Sequence, residues 1–161
     1  MAIRVAILTI SDTCSEGKRT DLSGQAIEDM LPATVFEVCE KIIIPDEYRT
    51  IASTLRDFSD RKAIDVVLTT GGTGLGPRDV TPEATTAVCD RMVPGLSEIL
   101  RSESFKKTPN AVLSRGISAM RENTLIINLP GSPKAVRECL EVILNILPHA
   151  VEMMRGGGHC D

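Results

Sequence analysis

Runs of aliphatic residues alternate along the chain with stretches in which apolar positions recur at helical spacing. Ile3 to Ile10 is an almost unbroken β-branched and aliphatic run, which is typical of a strand buried on both faces. The same kind of pattern predicts strands over Val35 to Ile44, Ile64 to Thr69 and Thr124 to Asn128. Pro45 ends the second of these strands, because proline cannot continue a ladder of hydrogen bonds.

Helices are predicted between these strands by capping residues and by apolar spacing. A short helix is expected to start with Ser23 as its cap and to stop before Pro32. A second helix follows Asp46, which stands where a cap belongs, and a third starts at Thr81, with Pro82 in its first turn. Further helices are predicted over Leu96 to Phe105, over Ala111 to Met120, from Pro133 to about Leu147, and from Pro148, which starts or kinks the last one.

Strands that alternate with helices indicate right-handed crossovers and a mostly parallel sheet. We therefore expect an α/β fold of three layers, a central sheet with helices on both faces. At 161 residues the chain is long enough for one buried core and too short for two ordinary domains. A single domain over residues 1–155 is predicted, followed by a flexible C-terminal tail over residues 156–161 that starts with three glycines.

Composition narrows the possible functions. The formal net charge of -4 argues against a general nucleic-acid binder, since phosphate backbones are held by clustered Lys and Arg. No apolar run approaches the roughly 20 residues of a membrane helix, so we expect no membrane span and a cytoplasmic location. The five cysteines are scattered and form no C-x-x-C pair, which predicts free thiols in a reducing compartment.

A glycine-rich loop, Thr70 to Pro77, directly follows the third predicted strand. In an open parallel sheet, ligands bind beyond the carboxyl ends of the strands, where successive loops form a crevice. Ser11-Asp12-Thr13 and Leu129 to Pro133 follow other strands and would border the same crevice. The four glycines between Gly71 and Gly76 permit positive φ and remove Cβ atoms, so backbone amides can converge on a phosphate. A tight turn without a ligand is the alternative interpretation.

Two familiar phosphate-binding loops are excluded by residue identity. A Walker loop needs Lys and Ser or Thr after its last glycine, but Gly76 is followed by Pro77 and Arg78. The dinucleotide-binding fingerprint, counted from Gly72 and Gly74, would place its third glycine at Pro77, and no predicted helix begins close enough to aim its dipole at a pyrophosphate. The loop therefore predicts a phosphate cradle of another kind.

Two aspartates accompany the glycine-rich loop. Asp79 lies just beyond the glycines, and Asp46 lies at the end of the second strand, where the chain order allows both to face one crevice. Paired carboxylates beside a phosphate site suit Mg²⁺, which is commonly held by one or two carboxylates together with phosphate oxygens and water. Each residue also has a structural interpretation, since Asp46 could cap the following helix and Asp79 could be a turn residue.

A set of short segments, spread from the first strand to the last helix, matches the pattern of one protein family. The segments are Ser11-Asp12, Ile44-Pro45-Asp46-Glu47, Thr70-Gly71-Gly72-Thr73-Gly74, Arg78 to Thr85, Ser114-Arg115 and Asn128 to Pro133. On these residues the chain resembles the molybdopterin adenylyltransferases and their relatives, the MogA, MoaB and gephyrin G-domain group. The long central match is specific, whereas the Ser-Asp and Ser-Arg pairs would mean little alone.

The resemblance implies the molybdopterin-binding fold, often a homotrimer, in which ATP and Mg²⁺ serve to transfer AMP to the terminal phosphate of molybdopterin. It also implies that Asp46 and Asp79 handle Mg²⁺ and take part in catalysis. Ligand phosphate would be held by Gly71, Gly72, Thr73 and Gly74, and the pterin and nucleotide sites would be lined by Ser11, Asp12, Ser114, Pro130, Gly131 and Pro133.

Two functions remain open at the level of the sequence. One is the adenylyltransferase, with possible hand-over of the pterin from or to other molybdenum cofactor enzymes. The alternative is a non-catalytic, MoaB-like protein of the same fold that binds molybdopterin or a related pterin. Ser132 stands where relatives often carry Asn or Gln, so the resemblance does not fix the subgroup, and it assigns no role to the His159-Cys160-Asp161 tail.

Overall fold

The computed structural model describes residues 1–157, in which strands and helices alternate along the chain. From residue 158 onward, the flexible tail predicted over residues 156–161 lies outside the described residues. The strands are β1 (Ile3–Ile10), β2 (Phe36–Ile44), β3 (Val66–Thr70), β4 (Arg91–Met92), β5 (Ser118–Arg121) and β6 (Thr124–Leu129). The helices are α1 (Asp12–Ser15), α2 (Leu22–Met30), α3 (Tyr48–Asp60), α4 (Thr81–Val88), α5 (Pro94–Lys107), α6 (Pro133–Ile143) and α7 (Leu147–Met154), and a 3₁₀ helix (Pro109–Leu113) follows α5.

The six strands form one sheet in the order β2-β1-β3-β6-β5-β4. The pairs β1/β2, β1/β3 and β3/β6 are parallel, whereas β5 and β4 complete the sheet in antiparallel fashion. Thr70 pairs with Thr9 on one side and with Leu129 on the other. The loops that follow β1, β3 and β6 therefore leave the sheet side by side at its carboxyl edge.

Helices cover both faces of the sheet, which confirms the predicted three-layer α/β architecture. Side chains along β1 alternate between two cores, because successive residues of a strand point to opposite faces. Ile7 packs in a core that includes Leu140 of α6, and Leu8 packs in a second core that includes Leu55 of α3. All four side chains are fully buried.

The helix predicted over residues 111–120 is wrong, and β4 was not predicted at all. The segment 111–120 instead contains the end of the 3₁₀ helix and most of the strand β5, which pairs antiparallel with β6. Ser118 of β5 is buried, and its hydroxyl lies 2.6 Å from that of Ser97 on α5. Strand pairing and this buried hydrogen bond override the local pattern, since propensity is a weak guide wherever tertiary contacts compete.

Two predicted helix caps are also wrong. Asp21, not Ser23, caps α2, since its carboxylate accepts from the amide of Gly24 at 2.8 Å. Ser23 instead donates to the carbonyl of Gly131 at 2.6 Å and so ties α2 to the loop after β6. The N-cap of α4 is Val80, one residue before the predicted cap Thr81. Both hydroxyl groups are used for tertiary contacts at the carboxyl edge of the sheet.

Candidate active site

A cleft of about 340 Å³ opens at the carboxyl edge of the sheet, where the loops after β1, β3 and β6 meet. It brings together residues that are far apart in the sequence. The predicted site residues that line it are Ser11, Asp46, Gly71, Gly72, Asp79 and Gly131. The arrangement on which the sequence argument depended, two aspartates beside the glycine-rich loop, is thus present in the fold.

Asp46 is held in place by a reciprocal pair of hydrogen bonds with Asp12. Its Oδ2 accepts from the Asp12 amide at 2.9 Å, and its own amide donates to Asp12 Oδ1 at 3.0 Å. The alternative in which Asp46 caps α3 is wrong, because the N-cap is Glu47. Burial raises the pKa of Asp46, and the Asp12 amide opposes this rise, while the negative charges of Asp12 and Asp79 add to it. Asp46 therefore lies in a locally acidic environment that a cation would relieve.

Asp79 lies with its carboxylate folded back against the glycine-rich loop. Its Oδ2 accepts from the amide of Gly76 at 2.9 Å. A Cβ atom on Gly74 or Gly76 would lie only 2.8 or 2.9 Å from this oxygen, so both glycines make room for the carboxylate. Asp79 does close a turn, as the structural interpretation had it, since its amide donates to the carbonyl of Gly76. It lines the cleft as well.

Each of these two acids keeps one carboxylate oxygen available. Within residues 1–157, no donor hydrogen bonds to Oδ1 of Asp46 or to Oδ1 of Asp79. Carboxylate oxygens without a protein donor are the ligands that Mg²⁺ takes, together with phosphate oxygens and water. In the described part of the chain, no group of three or more His, Cys, Asp or Glu side chains could hold a metal ion. The candidate donors for a cation here are the carboxylates of Asp46 and Asp79, which line the same cleft.

The glycine-rich loop approaches its neighbours more closely than other residues could. Gly71 and Gly72 have φ values of 98° and 67°, in the left-handed region that favours glycine. A Cβ atom would overlap the Ile10 carbonyl oxygen at Gly71 and the Thr81 hydroxyl at Gly72, where it would also lie 3.1 Å from Asp46 Oδ1. Only Gly71 and Gly72 of the predicted phosphate-holding residues line the cleft; Thr73, which is buried, and Gly74 do not.

Helix α4, whose start the sequence predicted near Thr81, begins against the glycine-rich loop. Thr81, the first residue of α4, donates its amide to the carbonyl of Gly72 at 3.1 Å and its hydroxyl to that of Gly71 at 2.9 Å. The amides of Gly72, Thr73 and Gly74 have no acceptor among residues 1–157. The carbonyls of Gly71 and Gly72 therefore accept hydrogen bonds from α4. The amides named above remain able to donate to an anion.

Asp12 contacts Arg78 and does not line the cleft. The guanidinium of Arg78 donates to both carboxylate oxygens of Asp12, at 3.0 and 2.9 Å. Arg78 lowers the pKa of Asp12, and the hydrogen bond from the Asp46 backbone adds to this effect. The sequence placed Asp12 among the residues that line the ligand sites, and Ser11-Asp12-Thr13 in a loop. In the structure Ser11 caps α1, and Asp12 supports Asp46 from behind.

Ser114 and Pro130 line a second cleft of about 200 Å³, which lies between α5 and α6. Ser132 borders both clefts, so they are neighbours along the carboxyl edge of the sheet. The Ser132 hydroxyl also accepts from the amide of Ala135 and caps α6. Pro133 starts α6 and lines neither cleft.

Two contacts of the site escaped sequence reasoning because they join distant segments. Thr70 donates its hydroxyl to the Pro130 carbonyl at 2.7 Å, which links the loops after β3 and β6. Arg115 donates to the carbonyls of Gly74 and Asp79, at 2.8 and 2.7 Å. The Ser114-Arg115 pair was part of the matching pattern, but no rule of local sequence assigns such a contact to Arg115.

Comparison with known proteins gives one consistent answer. The pattern of the family described as "probable molybdopterin binding domain" matches residues 6–149. The molybdopterin adenylyltransferase of Helicobacter pylori is 43% identical over 156 residues, which cover 96% of this chain and 89% of that protein. That of Escherichia coli K12 is 42% identical and covers 92% of this chain and 80% of that protein.

Solved structures agree with the sequence comparison. The molybdopterin biosynthesis enzyme MoaB from Thermus thermophilus superposes with a TM-score of 0.90 at 50% identity, over 96% of this chain and 97% of that chain.

No helix in residues 1–157 is long and apolar enough to cross a membrane.

Proposed function

Because this chain belongs to the family of probable molybdopterin binding domains, we propose that it is a molybdopterin adenylyltransferase, which transfers AMP from ATP to the terminal phosphate of molybdopterin. Relatives that carry this name are 43% and 42% identical over nearly the whole chain. The observation that carries the proposal is the shared cleft of Asp46 and Asp79, beside a loop in which the amides of Gly72, Thr73 and Gly74 lack acceptors within residues 1–157.

The reaction needs alignment more than proton transfer. A terminal phosphate oxygen of molybdopterin attacks the α-phosphorus of ATP, and the bond from that phosphorus to the oxygen bridging to the β-phosphate breaks, so pyrophosphate leaves. A phosphate monoester is already a usable nucleophile at neutral pH, so no general base is required. The work left to the protein is to hold two anions in line and to offset their charge.

Asp46 and Asp79 would hold Mg²⁺ through their Oδ1 atoms, which accept no hydrogen bond from residues 1–157. When bound, the cation supplies positive charge to the phosphate oxygens as negative charge develops on them. Burial raises the pKa of Asp46, and a bound cation would oppose this effect because it would favour the ionised carboxylate. Asp12 would keep Asp46 in place, and Arg78 would hold Asp12.

The pterin ring of molybdopterin and the nucleotide rings of ATP would be bound in the two neighbouring clefts. Gly71 and Gly72 would face ligand phosphate from the larger cleft, and Ser11 and Gly131 would line the same space. Ser114 and Pro130 would line the second cleft. Thr73, Gly74 and Pro133 would act indirectly, by shaping the loop and starting α6.

The direct test is pyrophosphate release by the purified protein with ATP, Mg²⁺ and molybdopterin. We expect release that requires both substrates, and a loss of at least about 100-fold in Asp46→Asn and Asp79→Asn, since removal of one charge-stabilising group costs this much in comparable sites. Molybdopterin binding, measured by calorimetry, should stay largely intact in both variants. Asp29→Asn, an exposed acid on α2, is the matched control and should keep the wild-type rate.

Binding of molybdopterin by the wild type without pyrophosphate release would contradict the enzymatic proposal and favour the non-catalytic, MoaB-like alternative. Wild-type turnover in either aspartate variant would remove the roles assigned to Asp46 and Asp79. A cytoplasmic site of action, a homotrimeric assembly and exchange of the pterin with other molybdenum cofactor enzymes belong to the same proposal.

A further inference from the structure

Arg115 hydrogen-bonds both to the glycine-rich loop and to Asp79, which follows the loop. The backbone amide of Arg115 donates to the carbonyl of Thr73 at 2.9 Å, and its Nε donates to that of Gly74 at 2.8 Å. Nη2 reaches across to the carbonyl of Asp79 at 2.7 Å. Nη1 pairs with the carboxylate of Glu83 on α4. We call Arg115 and Glu83 the loop clamp.

The loop clamp fixes the direction of the loop's peptide groups. In a planar trans peptide, the carbonyl of one residue points away from the amide of the next. Because Arg115 draws the carbonyls of Thr73 and Gly74 toward itself, the amides of Gly74 and Leu75 must point the other way. The same side chain anchors the main chain of Asp79, the residue whose carboxylate rests on the loop.

A lysine could not reproduce this contact. The guanidinium offers donors in a rigid plane that reach two carbonyls and a carboxylate together, whereas an ammonium is a single flexible point charge. The Arg115 side chain is 35% exposed, so the clamp is shielded only in part. The Glu83 carboxylate holds the end of the guanidinium that does not contact the loop.

We propose that Arg115 is a positioning residue that holds Asp79 and the glycine-rich loop in the geometry required to bind a divalent cation at an anionic ligand. It acts through Asp79 and need not touch either substrate. The catalytic consequence depends on the proposed adenylyl transfer, but the effect on the cation does not. Partners that orient metal ligands commonly change metal affinity or activity by 10- to 100-fold when they are removed.

The chain offers a matched control for the loop clamp. Arg121 binds both carboxylate oxygens of Asp60, at 2.9 and 2.6 Å, and the carbonyl of Val88 at 2.7 Å. It is therefore also an arginine fork between a carboxylate and a main-chain carbonyl. Arg121 pairs with Thr124 at the start of β6. The candidate site lies beyond the other end of that strand. Its loss costs a similar contact far from the cleft.

The first measurement is the affinity of the protein for Mn²⁺, determined by electron paramagnetic resonance in the presence of a non-hydrolysable ATP analogue. We expect Arg115→Ala to bind Mn²⁺ at least about 10-fold more weakly than the wild type. Arg115→Lys should show most of the same loss, and Arg121→Ala should match the wild type. Circular dichroism checks that each variant is folded, and Arg115→Lys decides the question if Arg115→Ala does not fold.

The second measurement is the rate of pyrophosphate release. We expect kcat to fall by about 10- to 100-fold in both Arg115 variants, with little change in KM for ATP. Equal Mn²⁺ affinity in the Arg115 and Arg121 variants, or no Mn²⁺ binding by the wild type, overturns the inference. An active wild type with unchanged kcat in both Arg115 variants also overturns it. If the wild type releases no pyrophosphate, the proposed function fails, and the Mn²⁺ affinities still decide the role of Arg115.

Discussion

At Gly72 the backbone has to meet two demands at once. It adopts a positive φ of 67°, and it passes so close to Thr81 and Asp46 that a Cβ atom would overlap the threonine hydroxyl. The usual explanation for glycine in a ligand-binding loop is that an anion needs room. Here the protein's own groups already need that room, so Gly72 matters to the position of Asp46 before any ligand arrives.

Substitution of Gly72 should therefore cost stability and activity together. For Gly72→Ala we expect the free energy of unfolding to fall by about 1–3 kcal/mol, because the left-handed conformation and the contacts both become strained. Urea titration measures this change, and pyrophosphate release should fall with it.

Gly95→Ala is the control for that substitution. Gly95 lies in α5, and a Cβ atom there meets nothing within 4 Å. Alanine should leave stability unchanged or raise it by up to about 1 kcal/mol, since alanine is the better helix former. A Gly72→Ala protein as stable and active as Gly95→Ala would mean that the close packing at Gly72 has no importance.

At the scale of elements, the sequence predicted the buried parallel strands and missed the antiparallel edge. The aliphatic runs of β1 and β6 are continuous because both faces are covered, and such runs are visible without any partner. The short strand β5 owes its conformation to pairing with β6 and to the contact between Ser97 and Ser118, and β4 owes its conformation to pairing with β5. Such pairings join distant parts of the chain, so local periodicity cannot reveal them.

Asn128 connects β6 with β3, with α4 and with the segment before β5, near the site. Its Nδ2 donates to the hydroxyls of Thr69 on β3 and Thr85 on α4, both at 3.1 Å. Its Oδ1 accepts from the amide of Ile117, just before β5, at 3.2 Å. The Asn128 side chain is buried and borders the second cleft, and the hydroxyls of Thr69 and Thr85 belong to fully buried residues.

Asn128→Ala should lower the free energy of unfolding by about 2–4 kcal/mol, since it leaves a cavity and several unpaired polar groups. Chemical denaturation gives the value. Asn123→Ala, in the exposed turn before β6, should change it by no more than about 0.5 kcal/mol. Equal effects of the two substitutions would show that the buried amide does not hold these elements together.

At the scale of the whole molecule, the meeting of Asp46 and Asp79 could be predicted from chain order. Parallel strands end at one edge, so residues that follow β2 and β3 are brought to a common crevice. The support of each aspartate could not be predicted. Asp12 and Arg115 contact these acids across segments that are distant in the sequence. The only sequence signal for either residue is a pair of adjacent residues that matches the family pattern, Ser11-Asp12 or Ser114-Arg115.

A homotrimer is the assembly that we expect in solution. Val112 and Leu113 are exposed apolar residues of the 3₁₀ helix, and Leu75 is exposed in the neighbouring loop that Arg115 binds. Because exposed apolar patches mark interfaces, we expect a neighbouring subunit to cover these side chains. Light scattering should give three times the chain mass of 17.4 kDa, and Leu113→Glu should shift it toward a single chain. A wild type that stays monomeric at high concentration would contradict this expectation.

The most direct test of the account is the position of a divalent cation in the ligand-bound protein. Crystals grown with molybdopterin, a non-hydrolysable ATP analogue and Mn²⁺ would locate the metal by its anomalous scattering. We expect one Mn²⁺ within about 2.1–2.3 Å of carboxylate oxygens of both Asp46 and Asp79, with nucleotide phosphate beside Gly71 and Gly72. A metal bound away from both acids, or nucleotide phosphates outside this cleft, would contradict the account.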